Sequence, residues 1–143
     1  MASKPVFREA FKKRHCLIAA ENFFEWMRLD AKSKRPFAIA LKSGEPLAFA
    51  GLWESWRPKD GEPLETFTIL TTSENELMRP IHERMPVILE PRNYDRWLDA
   101  GDPNRPPVDL LRPYPAEKML AWPVSDRVGN VRNNDPALLE RLA

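Results

Sequence analysis

Cysteine is nearly missing from this 143-residue chain: Cys16 stands alone, so neither an internal disulfide framework nor a cysteine zinc knuckle can be built. A single thiol fits a reducing compartment. Glycine is sparse, 5 residues scattered along the chain, and no phosphate-cradling glycine loop is present. Only 2 histidines occur. His15 and Cys16 are neighbours whose side chains diverge in a strand, so a closed zinc site would have to recruit carboxylates as well. No metal and no cofactor is expected. No apolar run approaches the roughly 20 residues of a spanning helix, and the first residues lack the apolar core of a signal peptide. Charge of one sign is also lacking. Lys and Arg number 22 against 21 Asp and Glu, so no global field draws the chain to nucleic acid or membrane. Any nucleic-acid contact must come from a local patch. The expectation is a soluble, cytoplasmic protein without a membrane partner.

What is abundant is proline, 15 residues, and tryptophan, 5 residues, in a chain that is 43% hydrophobic and 30% charged. That balance supports one globular core. The prolines argue for short elements joined by stiff loops. Ser3–Arg14 reads as a helix with Pro5 in its first turn and Lys12, Lys13 and Arg14 in its last. Strands are predicted over Cys16–Ala20, Phe37–Leu41, Leu47–Trp53, Phe67–Thr71 and Lys118–Val124. The run from Asp30 to Arg35 reads as a hairpin tip. Ser43-Gly44 turns the chain, and Asp60-Gly61 is a pair favoured in tight hairpins. Ser73-Glu74-Asn75-Glu76 has the spacing of a capping box for a helix ending before Pro80. Met85–Leu89 is extended, Asn93–Ala100 is a helix stopped by Gly101, and Asp102–Pro107 is a loop. Asp135-Pro136 caps a last helix. Helix and strand do not alternate as in a doubly wound fold, and no domain boundary is visible. The fold class is α+β: an antiparallel, barrel-like sheet core with short flanking helices, in a single domain over 1–143.

Two residues stand out for chemistry. Glu25 lies among Phe23, Phe24 and Trp26. An acid in apolar surroundings has its ionised form disfavoured and can move protons near neutral pH; if the aromatics point away, it is an ordinary strand-edge glutamate. His82 lies in Pro80-Ile81-His82-Glu83-Arg84-Met85-Pro86, where two prolines stiffen the backbone and hold a proton-transfer group still. Its bland alternative is a ring bonded to loop carbonyls. Arg84 has the planar fork that captures phosphate or carboxylate, or it pairs with Glu83 or Glu90. Trp53, Trp56 and Arg57 form an aromatic–basic cluster: exposed, it stacks bases and holds a phosphate; buried, it is core with a rim arginine. Cys16 sits in an apolar run and reads as structural.

Four blocks, in order, carry a family resemblance. Arg14-His15-Cys16-Leu17-Ile18-Ala19-Ala20-Glu21-Asn22-Phe23-Phe24-Glu25-Trp26 resembles the "RRCLIPADGFYEW" block of the SOS response-associated peptidase family, the abasic-site processing proteins. Phe49-Ala50-Gly51-Leu52-Trp53-Glu54 is similar to its "FAGLWE". Thr66–Thr72 followed by Pro80–Pro86 is similar to "TFTIITT…PIHDRMP", and Val124-Ser125 with Val128-Gly129-Asn130 to its closing strand and loop. The resemblance implies single-stranded DNA as partner and covalent capture of abasic sites. In the family an N-terminal cysteine closes a thiazolidine with the ring-opened sugar, with autopeptidase and lyase chemistry around it. It implies Glu25 and His82 as catalytic residues, the acid for proton transfer and the histidine for ring opening and release. Trp26, Arg84 and Thr71 would line the DNA site, beside Trp53 and Arg57 from the cluster above. It departs mainly at the start: Met1 is followed by Ala2, Cys16 matches an internal family cysteine, and the family's N-terminal stretch has no counterpart here; a milder departure puts Glu21 and Asn22 where the family has aspartate and glycine. The chain therefore reads as the C-terminal portion of the family domain without its nucleophile, nucleoid-associated at DNA damage. The other reading is a non-catalytic single-stranded DNA-binding module or inactive remnant. In either case, missing strands predict self-association or a partner that completes the sheet.

Overall fold

Short runs rich in aromatic and β-branched residues, broken by proline and polar turns, give strands rather than long helices. A computed structural model of the chain describes residues 10–99 and 105–142. Its strands are β1 (His15–Ala20), β2 (Phe23–Arg28), β3 (Lys34–Leu41), β4 (Leu47–Trp56), β5 (Leu64–Ile69), β6 (Thr71–Ser73), β7 (Arg84–Pro86) and β8 (Met119–Pro123), with one short helix, α1 (Tyr94–Leu98). The 3-10 turns Pro91–Asn93, Val108–Leu110, Ala116–Lys118, Asp126–Gly129 and Pro136–Leu139 join them. The class is α+β with antiparallel pairing of β2 with β3, β3 with β8 and β4 with β5. No closed barrel is found among the described residues; the larger sheets are open and three-stranded, ordered β1-β4-β5 and β2-β3-β8.

The described residues fall into two compact units. One draws on the segments ending at Ala19, spanning Ala48–Thr72 and spanning Pro86–Arg112. It holds the β1-β4-β5 sheet and an apolar core of Phe11, Ala50, Leu52, Leu70, Val87, Leu89, Trp97 and Leu110. Trp97 is fully buried, and its indole N–H donates to the Cys16 carbonyl at 2.8 Å. Its ring stacks on His15 at 3.9 Å between centroids. Both His15 ring nitrogens face main-chain carbonyls, those of Trp97 at 2.7 Å and of Phe11. His15 is thus a satisfied core histidine.

The other unit takes Ala20–Leu47, Ser73–Met85 and the chain from Pro113 on. In its sheet β3 is central, with Ala38 and Ile39 both fully buried. Pro36 lies in this central strand, where a missing N–H would normally break a ladder. It is tolerated because the β8 pairing begins one residue later, at Phe37, while the Pro36 carbonyl still accepts from Val124 N–H at 3.1 Å. The Trp122 indole N–H donates to Leu139 O at 2.7 Å and tethers the last turn.

Several expectations need correction. The Ser3–Arg14 helix falls mostly outside the described residues, although 10–13 are helical and Arg14 N–H bonds Ala10 O at 2.8 Å. The Gly101 stop and the start of the Asp102–Pro107 loop also lie outside them. Gly44 turns the chain at φ 81° as expected, but β3 and β4 then enter different sheets. Asp60-Gly61 sits in a longer loop between β4 and β5, and Gly61 does not use the positive φ of a tight turn. Ser73 ends a strand, and 76–81 form turns instead of an α-helix. Pro80 follows too soon for a second helical turn. The last helix is one 3-10 turn; the Asp135 carboxylate caps it, accepting from Ala137 N–H at 3.0 Å.

Candidate functional site

Glu25 and Trp26 sit side by side on β2, whose Phe-Phe-Glu-Trp-Met-Arg sequence is aromatic-rich and strongly strand-forming. Alternation along a strand sends Glu25, with Phe23 and Met27, to one face and Trp26, with Phe24 and Arg28, to the other. Glu25 is half-buried. Burial raises its carboxyl above the ordinary value, while the nearby charge of His82 and a hydrogen bond from Trp26 backbone N–H pull it back down. Glu25 and His82 therefore lie within electrostatic reach of each other in the same unit.

His82 closes a tightly tied turn. Its backbone N–H and that of Ile81 both reach Met78 O, at 2.9 and 2.7 Å, and Ile81 is buried as an anchor. Buried Asn75 organises this turn from below: its carbonyl oxygen accepts from Met78 N–H at 3.0 Å, and its amide donates to Tyr114 O at 2.7 Å. The exposed His82 ring presents Nδ1 to the backbone of Arg84, 3.1 Å from its N–H and 3.0 Å from its carbonyl. Protonated, Nδ1 donates to the carbonyl; unprotonated, it accepts from the N–H. Either way the ring stays put and Nε2 is free of that contact, which suits a group that must gain and lose a proton.

A cleft of about 420 Å³ opens beside His82, lined by Trp26, Arg28, Lys34, Arg79, Pro80, Ile81, His82 and Glu83. Glu25 is not in this lining; His82 belongs to it and is also within charge reach of Glu25. Arg84, on β7, is exposed and engaged in an interaction. Thr71, Trp53 and Arg57 belong to the other unit, on β6, on β4 and just past β4 respectively, all at the surface. Trp53 faces exposed Phe67 across the β4–β5 ladder. Exposure at Trp53, Trp56 and Arg57 settles that this cluster is surface and not core. Cys16 is half-buried, and burial pushes its thiol up, away from the reactive thiolate. Among the described residues no group of His, Cys, Asp and Glu is placed to hold a metal, and no helix is long and apolar enough to cross a membrane.

Sequence reasoning missed Asn75, Arg28, Lys34 and Arg79. Asn75 was visible as an Asx residue three positions before Met78. Arg28 and Lys34 flank the hairpin tip at a spacing that pairs them, a signal hidden until the register was known.

Comparison with known proteins identifies the family. Residues 1–131 match the SOS response associated peptidase (SRAP) family. An abasic site processing protein, YoqW, from Bacillus subtilis (strain 168) is 46% identical over 141 residues, which cover 98% of this chain and 63% of that protein. The abasic site processing protein HMCES of Xenopus tropicalis is 34% identical, over 99% of this chain and 48% of its own length. An X-ray crystal structure of a protein from Bacteroides thetaiotaomicron superposes with a TM-score of 0.86 at 33% identity, covering 99% of this chain and 62% of that one. The chain thus spans less than two thirds of the length of these relatives.

Proposed function

The chain belongs to the SOS response associated peptidase family, and from that premise we propose that it processes abasic sites in single-stranded DNA, with Glu25 and His82 as its acid/base pair. Opening an abasic sugar is an isomerisation. A proton leaves the C1′ hydroxyl, the C1′–O4′ bond breaks, and a proton arrives on O4′, leaving an aldehyde. One group must take a proton and another give one near neutral pH. A carboxyl raised by burial and a histidine ring held in either protonation state fit those two roles. The observation that carries the reading is the half-buried Glu25 within charge reach of His82, beside a cleft rich in cations.

Trp26 and Arg84 are the DNA contacts we assign to the same unit; Thr71, Trp53 and Arg57 are those we assign to the other. Both units are taken as parts of one family domain, acting on DNA in the cytoplasm. A thiazolidine crosslink needs a reactive thiol together with an amine, and half-buried Cys16 is a poor candidate for it. The crosslink is therefore not assigned to Cys16, and the proton-transfer steps are assigned to Glu25 and His82.

Aldehyde trapping tests this without requiring any crosslink. An alkoxyamine reacts with the ring-opened sugar of an abasic single-stranded oligonucleotide, and ring opening limits its rate when the probe is in excess. The protein is expected to speed trapping roughly 100-fold, with the gain lost in Glu25→Gln and His82→Gln. A trapping rate that the protein leaves unchanged, with strand binding retained, would leave only the binding-module reading.

A further inference from the structure

The hairpin between β2 and β3 contains an unfavourable arrangement. Arg28 stands directly opposite Lys34 in the ladder, and like charges in facing positions repel. Both side chains line the cleft on the Trp26 face of β2, together with Arg79 and His82, and Glu83 is the acid in that lining. Some cations elsewhere are paired, Arg14 with Glu54 at 2.7 Å, Arg96 with Asp109 at 2.9 Å and Arg127 with Asp135 at 2.9 Å. Among the described residues no ion pair or side-chain hydrogen bond engages Arg28, Lys34 or Arg79. The obvious neutraliser is turned to other use. Asp30, at the hairpin tip, accepts from the backbone N–H groups of Lys32 at 2.8 Å and Ser33 at 2.9 Å. That Asx turn fixes the register that sets Arg28 against Lys34. Arg28, Lys34 and Arg79 are exposed, and the third cation, the Trp26 indole and the turn at Pro80 border the same cleft.

We infer that Arg28, Lys34 and Arg79 form a phosphodiester subsite, holding the backbone of a nucleic-acid strand while a neighbouring base lies against Trp26. An anion converts the repulsion between Arg28 and Lys34 into joint attraction, and Arg presents a planar fork to phosphate oxygens. Trp26 supplies a stacking platform indifferent to base identity. The subsite lies on the face of β2 opposite Glu25 and shares His82 with the acid/base pair. It therefore positions a phosphate flanking the reacting sugar instead of touching the sugar. This inference rests on the proposed function for the identity of the strand as DNA. It adds to that function the residues that place the strand.

The test uses the full chain and a fluorescent, undamaged oligothymidylate, with binding read by anisotropy between about 50 and 200 mM salt. Undamaged DNA separates the subsite from the abasic chemistry. Arg28→Gln/Lys34→Gln is expected to weaken binding about 10-fold at the low-salt end and to flatten the log–log salt slope by about 0.7, the loss of one phosphate contact on a single strand. Arg79→Gln should move both readouts the same way, and Arg28→Lys/Lys34→Arg should restore them. Lys42→Gln, at a separate hollow, removes one unit of charge, as Arg79→Gln does, and is expected to change affinity less than about 2-fold. The double glutamine variant should keep or raise the thermal midpoint, since it relieves repulsion; this shows that lost binding is not lost folding. Wild-type affinity and slope in the double variant, an equal loss in Lys42→Gln, or no binding of the undamaged strand by the parent chain would each overturn the subsite. If the slope responds as expected while aldehyde trapping is unaffected by the protein, the subsite stands and the abasic-site reading falls.

Discussion

At the scale of single residues, Glu25 carries a conflict between burial and ionisation. Its carboxyl is raised because burial disfavours the charge. A group with a raised folded-state value gives its full contribution to stability below the unfolded value, near 4.3, and loses it as pH climbs through the folded one. Glu25→Gln has no charge to bury. The variant is thus expected to match wild type in acid and to gain on it as pH rises from about 4 toward neutrality. Thermal midpoints across that range check this; a gap that closes with rising pH would contradict the sign. His15 shows a different case, a ring taken up by the core. Its two nitrogens lie against the carbonyls of Trp97 and Phe11 and its face against the Trp97 ring. A histidine in a sequence does not declare which of these it is. The prolines around His82 did mark a rigid setting, and no comparable mark surrounds His15.

At the scale of elements, the chain relies on close approach between strands. Gly51 is buried in the middle of β4, between β1 and β5. A Cβ there would run into the Ile18 side chain of β1 and lie 3.1 Å from both Cys16 Sγ and Thr68 O. Ile18 can swing aside, but the Thr68 carbonyl is backbone and cannot. Gly51→Val is therefore expected to cost about 1–3 kcal/mol, read as a lower urea midpoint at unchanged slope. An unchanged midpoint would mean that β1 and β5 part freely. The "FAGLWE" block thus has a packing reason for its glycine. The β2–β3 hairpin and the turn ending at His82 are held by Asx residues, Asp30 and Asn75, whose side chains replace backbone partners. The capping-box pattern named the right segment and the wrong residue: Ser73 was committed to a strand, and Asn75 made the bonds.

At the scale of the whole molecule, charge is balanced and localised. A net charge of +1 supplies no long-range field, so the proposed affinity for nucleic acid rests on the cleft and on stacking on unpaired bases. Undamaged duplex DNA is expected to bind at least about 10-fold more weakly than single-stranded DNA of the same length near physiological salt, since paired bases offer no free face for stacking. Anisotropy on matched oligonucleotides checks this; equal affinities would mean that Trp26 takes no base. The amino-acid sequence by itself determined the α+β class, most strands, the stiff setting of His82 and the family. Each of these follows from local pattern: alternation, proline and ordered blocks of residues read without knowing any partner. Only the tertiary structure decided that the sheets are open, that Trp53 and Arg57 are surface, and that Glu25 lies within charge reach of His82. It alone also set Arg28 against Lys34. Burial, register and charge separation depend on which distant segments meet, and a single chain of letters does not carry those meetings.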